Sequence, residues 1–269
     1  MSSLTKRIIT AAVLVIVLGA AVFLLPASAV RYVLGAFVLI GVWEWSGFFT
    51  PDNPFVRALY TFVMACVGLV PTMAGTTPGA GDPVVYAAVG WWLLVLCWLA
   101  FGSLAINKWS CALAGLFCLQ PAWLALARLM DTGGGVPLLL CFVAMVAAAD
   151  IGAYFTGRRF GQRKLAPRIS PGKTWEGLAG GLLCAAVAAL FGASMLKLSP
   201  LLFAAVGIAI AAVSVIGDLT VSAFKRYAGL KDSGTLLPGH GGVLDRIDGM
   251  VAALPVYVVA LLLTGTLRV

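Results

Sequence analysis

Residues Leu198–Gly217 read LSPLLFAAVGIAIAAVSVIG, without one charged side chain, and the next residue is Asp218. At 1.5 Å of rise per residue, about 20 apolar residues in a helix cover the roughly 30 Å hydrocarbon core of a bilayer. Eight further runs have the same character: Ile8–Leu25, Tyr32–Phe49, Ala58–Ala74, Val84–Ile106, Trp109–Ala127, Val136–Gly157, Gly177–Leu196 and Gly249–Leu267. Of the nine, only Tyr32–Phe49 and Val136–Gly157 hold a charge. Composition agrees, with 62% of the 269 residues hydrophobic, 10% charged and a mean hydropathy of +1.05. Soluble domains are only about 45–50% apolar. The expected fold is an all-α, polytopic transmembrane helix bundle of about nine spans.

Lys6-Arg7, the first run and Ala27-Ser28-Ala29 also have the form of a secretory signal. The run exceeds the roughly 7–15 apolar residues of a signal core, so a retained helix is expected. With the N-terminus inside and the C-terminus outside, only Arg31, Arg128, Lys197 and Arg268 of the 18 basic residues fall on the outer side, as the positive-inside rule requires. The net charge of +8 then reflects topology and attraction to anionic lipid head groups, and nucleic acid is not an expected partner. Cys66, Cys97, Cys111, Cys118, Cys141 and Cys184 all lie inside apolar runs without a CxxC pair. They read as packing residues, supporting neither a disulfide framework nor a zinc site.

Residues 1–131 have short, nearly featureless connections and read as scaffold. No internal repeat of the kind that marks inverted-repeat transporters is visible. Residues 132–269 read as the catalytic region, with cytoplasmic loops at 158–176 and 218–248. Six of the ten acidic residues lie there: Asp150, Glu176, Asp218, Asp232, Asp245 and Asp248. The last loop interleaves these carboxylates with Lys225, Arg226, Lys231 and Arg246. That mixture suits a metal–triphosphate, because Mg²⁺ takes one or two carboxylates plus phosphate oxygens while fixed cations neutralise the remaining phosphate charge. Asp245 and Asp248 share a helix face if the last helix starts near Leu244, at an end that favours anions. Asp218 is expected to meet them, Asp245 standing at a wet helix start. His240-Gly241-Gly242 offers backbone that can approach a phosphate closely. Two carboxylates are expected at membrane depth, where charge is costly enough to imply a function or a partner. Asp150 can face the same polar cleft as Asp218. Glu44, in Trp43-Glu44-Trp45, has no obvious partner, and a structural hydrogen bond is the leading reading.

The run Ser222–Asp248 follows S-x-F-K-R, four residues, K-D-x-G, two residues, L-P-x-H-G-G-V-x-D-R-I-D without a gap. It resembles, position for position, the signature of the phosphatidate cytidylyltransferases, or CDP-diacylglycerol synthases. The segment Asp150–Gly177 also looks like that family, including Ser170-Pro171-Gly172-Lys173-Thr174-Trp175-Glu176-Gly177, where the family pattern expects a second lysine at Gly172. The resemblance implies transfer of CMP from CTP to phosphatidic acid with release of pyrophosphate, Mg²⁺ as cofactor, and a homodimer. It also implies a cell membrane location, a bacterial inner membrane, while the positive-inside topology places the site on the cytoplasmic face. The expected metal residues are Asp218, Asp245 and Asp248. Lys173, Lys225, Arg226, Lys231, His240 and Arg246 are the expected catalytic, phosphate-facing residues, with Ser170, Gly241 and Gly242 as further substrate-binding positions.

Three rival readings are weaker. Gly172-Lys173-Thr174 invites a P-loop, but the first glycine of that motif falls on Pro167 and no strand is expected before it. Asp245–Ala252 opens like the CDP-alcohol phosphotransferase motif, but Ala253 stands where that motif needs arginine. An anion transporter would place its charges in broken helices near the midplane, whereas here they are expected in loops. For topology, in a chain whose native cysteines are replaced, a cysteine at Ser233 should react with an impermeant thiol reagent only once the cytoplasmic side is opened. One at Thr76 should react from outside, and the opposite pattern overturns the orientation.

Overall fold

The computed structural model describes residues 3–73, 83–102 and 105–267. Thr76, expected on the outer side, and Arg268 lie outside these residues. Nine helices are described: α1 (Ser3–Leu24), α2 (Ala27–Ser46), α3 (Pro54–Met73), α4 (Pro83–Phe101), α5 (Lys108–Met130), α6 (Gly135–Phe160), α7 (Trp175–Leu196), α8 (Pro200–Tyr227) and α9 (Leu244–Leu263). Helices α2 to α9 are each long and apolar enough to cross a membrane, while the apolar part described for α1 is shorter, Ala12–Leu24. Among the described residues that is eight clear spans and one shorter apolar helix, where about nine spans are expected. Helix is the element that can do this, because a spanning segment without water must satisfy its own backbone N–H and C=O groups. Large apolar side chains stand bare along the helices, Phe55 at 75%, Leu201 at 84% and Leu263 at 75% exposure. Such surface would drive aggregation in water but is ordinary against lipid.

Several helices outrun their hydrophobic stretches. Helix α8 continues past Gly217 through Asp218, Lys225 and Arg226 to Tyr227, and ends only before Gly229, whose φ of 71° is the left-handed helix stop that glycine allows. Helix α6 likewise runs to Phe160. Hydropathy marks where lipid ends, not where the helix ends, so the two expected loops shrink and part of their charge moves onto helical turns. Arg158, Arg159, Asp218, Lys225, Arg226, Asp245, Arg246 and Asp248 thus ride on helix ends, while Arg163, Arg168, Lys173, Lys231 and Asp232 stay in the connections between helices. A further correction concerns residues 164–174, where β1 (Lys164–Ala166) pairs antiparallel with β2 (Ser170–Thr174). A strand does precede Gly172-Lys173-Thr174, though β2 itself carries these residues, so the case against a P-loop rests on Pro167 alone.

The chain forms two compact units, Met1–Thr77 with Ala105–Val136 and Phe224–Ile247, and Pro78–Leu104 with Pro137–Ala223 and Asp248–Val269. In the first, α2, α3 and α5 pack together around Trp45 and Trp123, exposed by 0% and 2%. The Trp45 indole donates to the Cys111 carbonyl (2.9 Å), and the Tyr60 hydroxyl donates to the Ala112 carbonyl (2.8 Å). Gly115 leaves the space for both rings. Helix α5 starts on a capping box in which Asn107 accepts from the Ser110 amide and the Ser110 hydroxyl accepts from the Asn107 amide. In the second unit, α6, α7 and α8 approach through small residues: Ala149, Ala185 and Ala211 form one buried cluster. A Cβ on Gly181 would come within 2.8 Å of the Ala149 carbonyl, and one on Gly207 within 2.7 Å of the Ala185 carbonyl. Lipid supplies no hydrophobic drive between helices, so close backbone contact of this kind is what holds them. Tyr257 of α9 donates to the Leu138 carbonyl at 3.0 Å and packs on Phe142.

Gly68 tests the first core. A methyl there would lie 2.6 Å from the Trp123 ring, whereas one on Gly90 would meet nothing within 4 Å. Gly68→Ala should lower the thermal midpoint in detergent, while Gly90→Ala should hold or raise it through better helix propensity, worth about 1 kcal/mol. Equal midpoints for the two variants would contradict the packing around Trp123.

Candidate functional site

The signature segment lies mainly in the first unit and is gripped by two carboxylates. Asp245, in the first turn of α9, accepts the Lys225 ammonium on Oδ1 at 2.7 Å and the amides of Ser233 and Gly242 on Oδ2, both at 2.9 Å. The two side chains of the Lys225–Asp245 pair are only 10% and 6% exposed. Glu44, 5% exposed on α2, accepts from the Ser233 hydroxyl (2.8 Å), the Val243 amide (3.0 Å) and the Leu244 amide (2.8 Å). The last two are N–H groups at the start of α9 that have no partner within the helix, and the helix dipole also favours an anion there. Between the grips the chain doubles back. The Leu237 amide donates to the Gly241 carbonyl at 2.9 Å, and Gly239 and Gly241 take φ of 78° and 82°, angles that glycine adopts without a Cβ penalty. Thr10 of α1 donates to the Pro238 carbonyl at 2.9 Å. Arg226, Lys231 and Arg246 stay exposed, with Arg226 and Arg246 donating to the carbonyls of Leu230 and His240 at 3.1 Å.

The second unit holds a cavity of about 460 Å³ walled by the end of α6, the hairpin, the start of α7, and Val215 of α8. Asp150, Tyr154 and Arg158 line it from α6, and Ser170, Gly172, Lys173 and Thr174 from β2. Thr174 also caps α7, accepting from the Gly177 amide at 3.1 Å, while Glu176 accepts the amides of Gln162 (3.1 Å) and Arg163 (3.2 Å) and so anchors the hairpin. Lys173 pairs with Asp218 at 2.6 Å, the side chains 24% and 36% exposed, and Ser222 donates to the other Asp218 oxygen at 3.2 Å. Gly217 lets α8 and α9 meet: a Cβ there would lie 2.5 Å from the Asp248 carbonyl. Asp218 and Asp248 are thus at one level of this unit. A side chain on Gly172 would meet nothing within 4 Å, so the family's second lysine has room where this chain has none.

The sequence-predicted residues therefore divide. Ser170 and Lys173 line the cavity, Asp218 joins them through its pair with Lys173, and the Asp248 backbone approaches Gly217 next to Asp218. Lys225, Gly241, Gly242 and Asp245 belong to the gripped loop, where Lys225 pairs with Asp245. Asp245 does not stand at a wet helix start, since its carboxylate is buried and both oxygens are taken. Among the described residues no three His, Cys, Asp or Glu side chains gather as a metal-binding group. The donor set fits Mg²⁺ that arrives with phosphate oxygens as most of its ligands, not an all-protein cage. Sequence reasoning missed Thr174 and Ser233, whose work is visible only once the hairpin and the Glu44 contacts exist.

The Cytidylyltransferase family pattern matches residues 5–264. The chain belongs to that family. It is 40% identical to the phosphatidate cytidylyltransferase of Pseudomonas aeruginosa, over 97% of this chain and 98% of that protein. With the phosphatidate cytidylyltransferase of Haemophilus influenzae it shares 38% identity over 94% and 97%, and with that of Brucella suis 43% over 60% and 63%. This cytidylyltransferase is accordingly a nucleotidyltransferase with multiple membrane-spanning helices. Within it, the Lys225–Asp245 pair carries a structural load that an exposed pair would not. Removing one partner of a buried pair costs about 3–5 kcal/mol, so Lys225→Met should depress the thermal midpoint well below that of Asp131→Asn, which opens the wetter Arg31–Asp131 pair (18% and 23% exposed). Equal midpoints would place Lys225 elsewhere.

Proposed function

We propose that the chain is a phosphatidate cytidylyltransferase, joining CTP and phosphatidic acid into CDP-diacylglycerol and pyrophosphate in phospholipid biosynthesis. The observation that carries this is identity of about 40% along nearly the whole length of a protein of that name, with the Ser222–Asp248 segment unbroken. In the reaction a phosphate oxygen of phosphatidic acid bonds to the α-phosphorus of CTP, and the bond from that phosphorus to the β-phosphate bridging oxygen breaks. No strong base is needed, because a phosphomonoester with a second pKa near 6 is mostly dianionic at neutral pH. Catalysis then rests on positioning and charge neutralisation. Lys173 at the cavity and Arg226, Lys231 and Arg246 on the signature segment are the phosphate partners, and His240 donates a hydrogen bond. Mg²⁺, when bound, neutralises phosphate charge; Asp218 and Asp248 would hold it, while Asp245 holds Lys225 and the loop.

The site faces the cytoplasm in this proposal, in a bacterial inner membrane, and the chain works as a homodimer without a nucleic-acid partner. Ser233 is 8% exposed and bonded to Glu44, so the inner labelling position moves to the exposed Thr235.

Asp218→Asn tests the metal assignment more cleanly than any change at Asp245, whose loss would strand Lys225 without its counter-charge. Purified Asp218→Asn, eluting as a single species in detergent, should need more Mg²⁺ and turn over at least about 10–100-fold more slowly, the loss typical of outer-sphere partners. ATP and GTP should be poor donors for the wild type, an expectation that rests on family likeness. Wild-type Mg²⁺ dependence and turnover in the variant would remove Asp218 from the metal. Equal use of ATP would defeat the cytidine assignment.

A further inference from the structure

We propose that Glu44 is a positioning residue for the signature segment, acting from a span some 190 residues away in sequence. The inference rests on the reaction proposed above for its activity readout, though the clamp itself does not. Three donors converge on its carboxylate: the Val243 amide on Oε1, and the Leu244 amide and the Ser233 hydroxyl on Oε2. A buried carboxylate is expensive unless it is fully hydrogen-bonded. Here all three hydrogen-bond donors come from the segment that closes the signature loop.

Glu44 itself is held. On one side of it Trp43 lies under the Arg57 guanidinium, 4.3 Å from the ring centroid, and Arg57 donates to the Trp43 carbonyl at 2.9 Å. On the other side Trp45 is buried against Phe48 and Phe224, with centroids 5.5 and 5.0 Å apart. The segment is also shaped for this carboxylate. A Cβ on Gly234 would lie 2.6 Å from Oε1, and one on Gly242 would collide with Oε2 and the Ser233 hydroxyl. Two signature glycines are therefore clearance for Glu44. Ser233 ties the two grips together, giving its hydroxyl to Glu44 and its amide to Asp245. With Ser233 and residues 242–244 pinned, the loop between them and the flanking Lys231 and Arg246 have fixed anchors.

Glutamine cannot replace this. Whichever way the amide turns, its NH₂ opposes either the Val243 or the Leu244 N–H, leaving a buried donor unmet. The test uses the full-length protein in detergent, with rates normalised to monodisperse enzyme, and compares wild type, Glu44→Gln, Glu44→Asp and Asp131→Asn. A displacement of about 1 Å in a positioned group costs on the order of 100-fold in rate. Glu44→Gln should therefore lose about 10–100-fold in kcat/KM, with a raised KM for CTP. Glu44→Asp, which keeps two acceptor oxygens on a shorter arm, should recover part of the loss. Asp131→Asn, which weakens the Arg31 ion pair of the same unit, should keep the wild-type KM even where its thermal midpoint falls.

Amide exchange by mass spectrometry is the second readout: peptides covering 233–244 should exchange at least tenfold faster in Glu44→Gln, with α5 unchanged. A wild type inactive with CTP would sink the proposed reaction, yet faster exchange would still identify the clamp. An active wild type with unaltered kcat/KM in Glu44→Gln, or unaltered exchange of 233–244, overturns the proposal. If Glu44→Gln does not fold, Glu44→Asp carries both measurements with the same signs.

Discussion

Charge that leaves water must find donors or counter-charge, and in a chain with only ten carboxylates that constraint decides how its polar parts are arranged. Burial without compensation costs several kcal/mol per ion, so the two most deeply placed carboxylates of the first unit are both saturated. Glu44 meets three donors and Asp245 meets three. All six donors come from the segment between Lys225 and Leu244. The apolar helices have no comparable freedom, because they can settle against lipid or against one another. The loop cannot, since moving it would uncover two charges at once.

That coupling explains why the sequence could be read so far and no further. The spans were legible because lipid demands a uniform run of apolar residues, and such runs need no knowledge of the rest of the chain. Helix ends were not, since α8 is stopped by Gly229 and not by the polar residues from Asp218 onward. The hairpin at 164–174 was hidden because Pro167, Pro171 and Gly172 interrupt any alternating pattern that would announce a strand. Glu44 was recognisable as an anomaly, a carboxylate at membrane depth, but its partners lie 189 to 200 residues away and no local rule reaches them.

The signature itself illustrates the same limit. Gly241 and Gly242 read from sequence as backbone that can approach a phosphate. In the fold, Gly242 and Gly234 make way for Glu44, and Gly241 keeps a side chain off Asp245, 2.7 Å from where its Cβ would be. A motif can thus be spelled by the requirements of its own scaffold as much as by those of its ligand. Lys225 and Asp245 carry the same lesson, since two charges that read separately in the sequence are a buried pair in the fold.

Exposure then separates the two lysine–aspartate pairs by what they are fit to do. To release Lys225 from Asp245 would strand both ions in a site where the side chains are 10% and 6% exposed, at the cost of a buried charge. Lys173 and Asp218 are 24% and 36% exposed, with Lys173 lining a cavity of about 460 Å³. Water already screens that pair, so its opening costs far less. A metal–phosphate group can replace both halves, its oxygens taking the ammonium and its cation taking the carboxylate. In the proposed reaction the wet pair is therefore the one that exchanges for substrate, and the dry pair is the frame against which the signature loop is held.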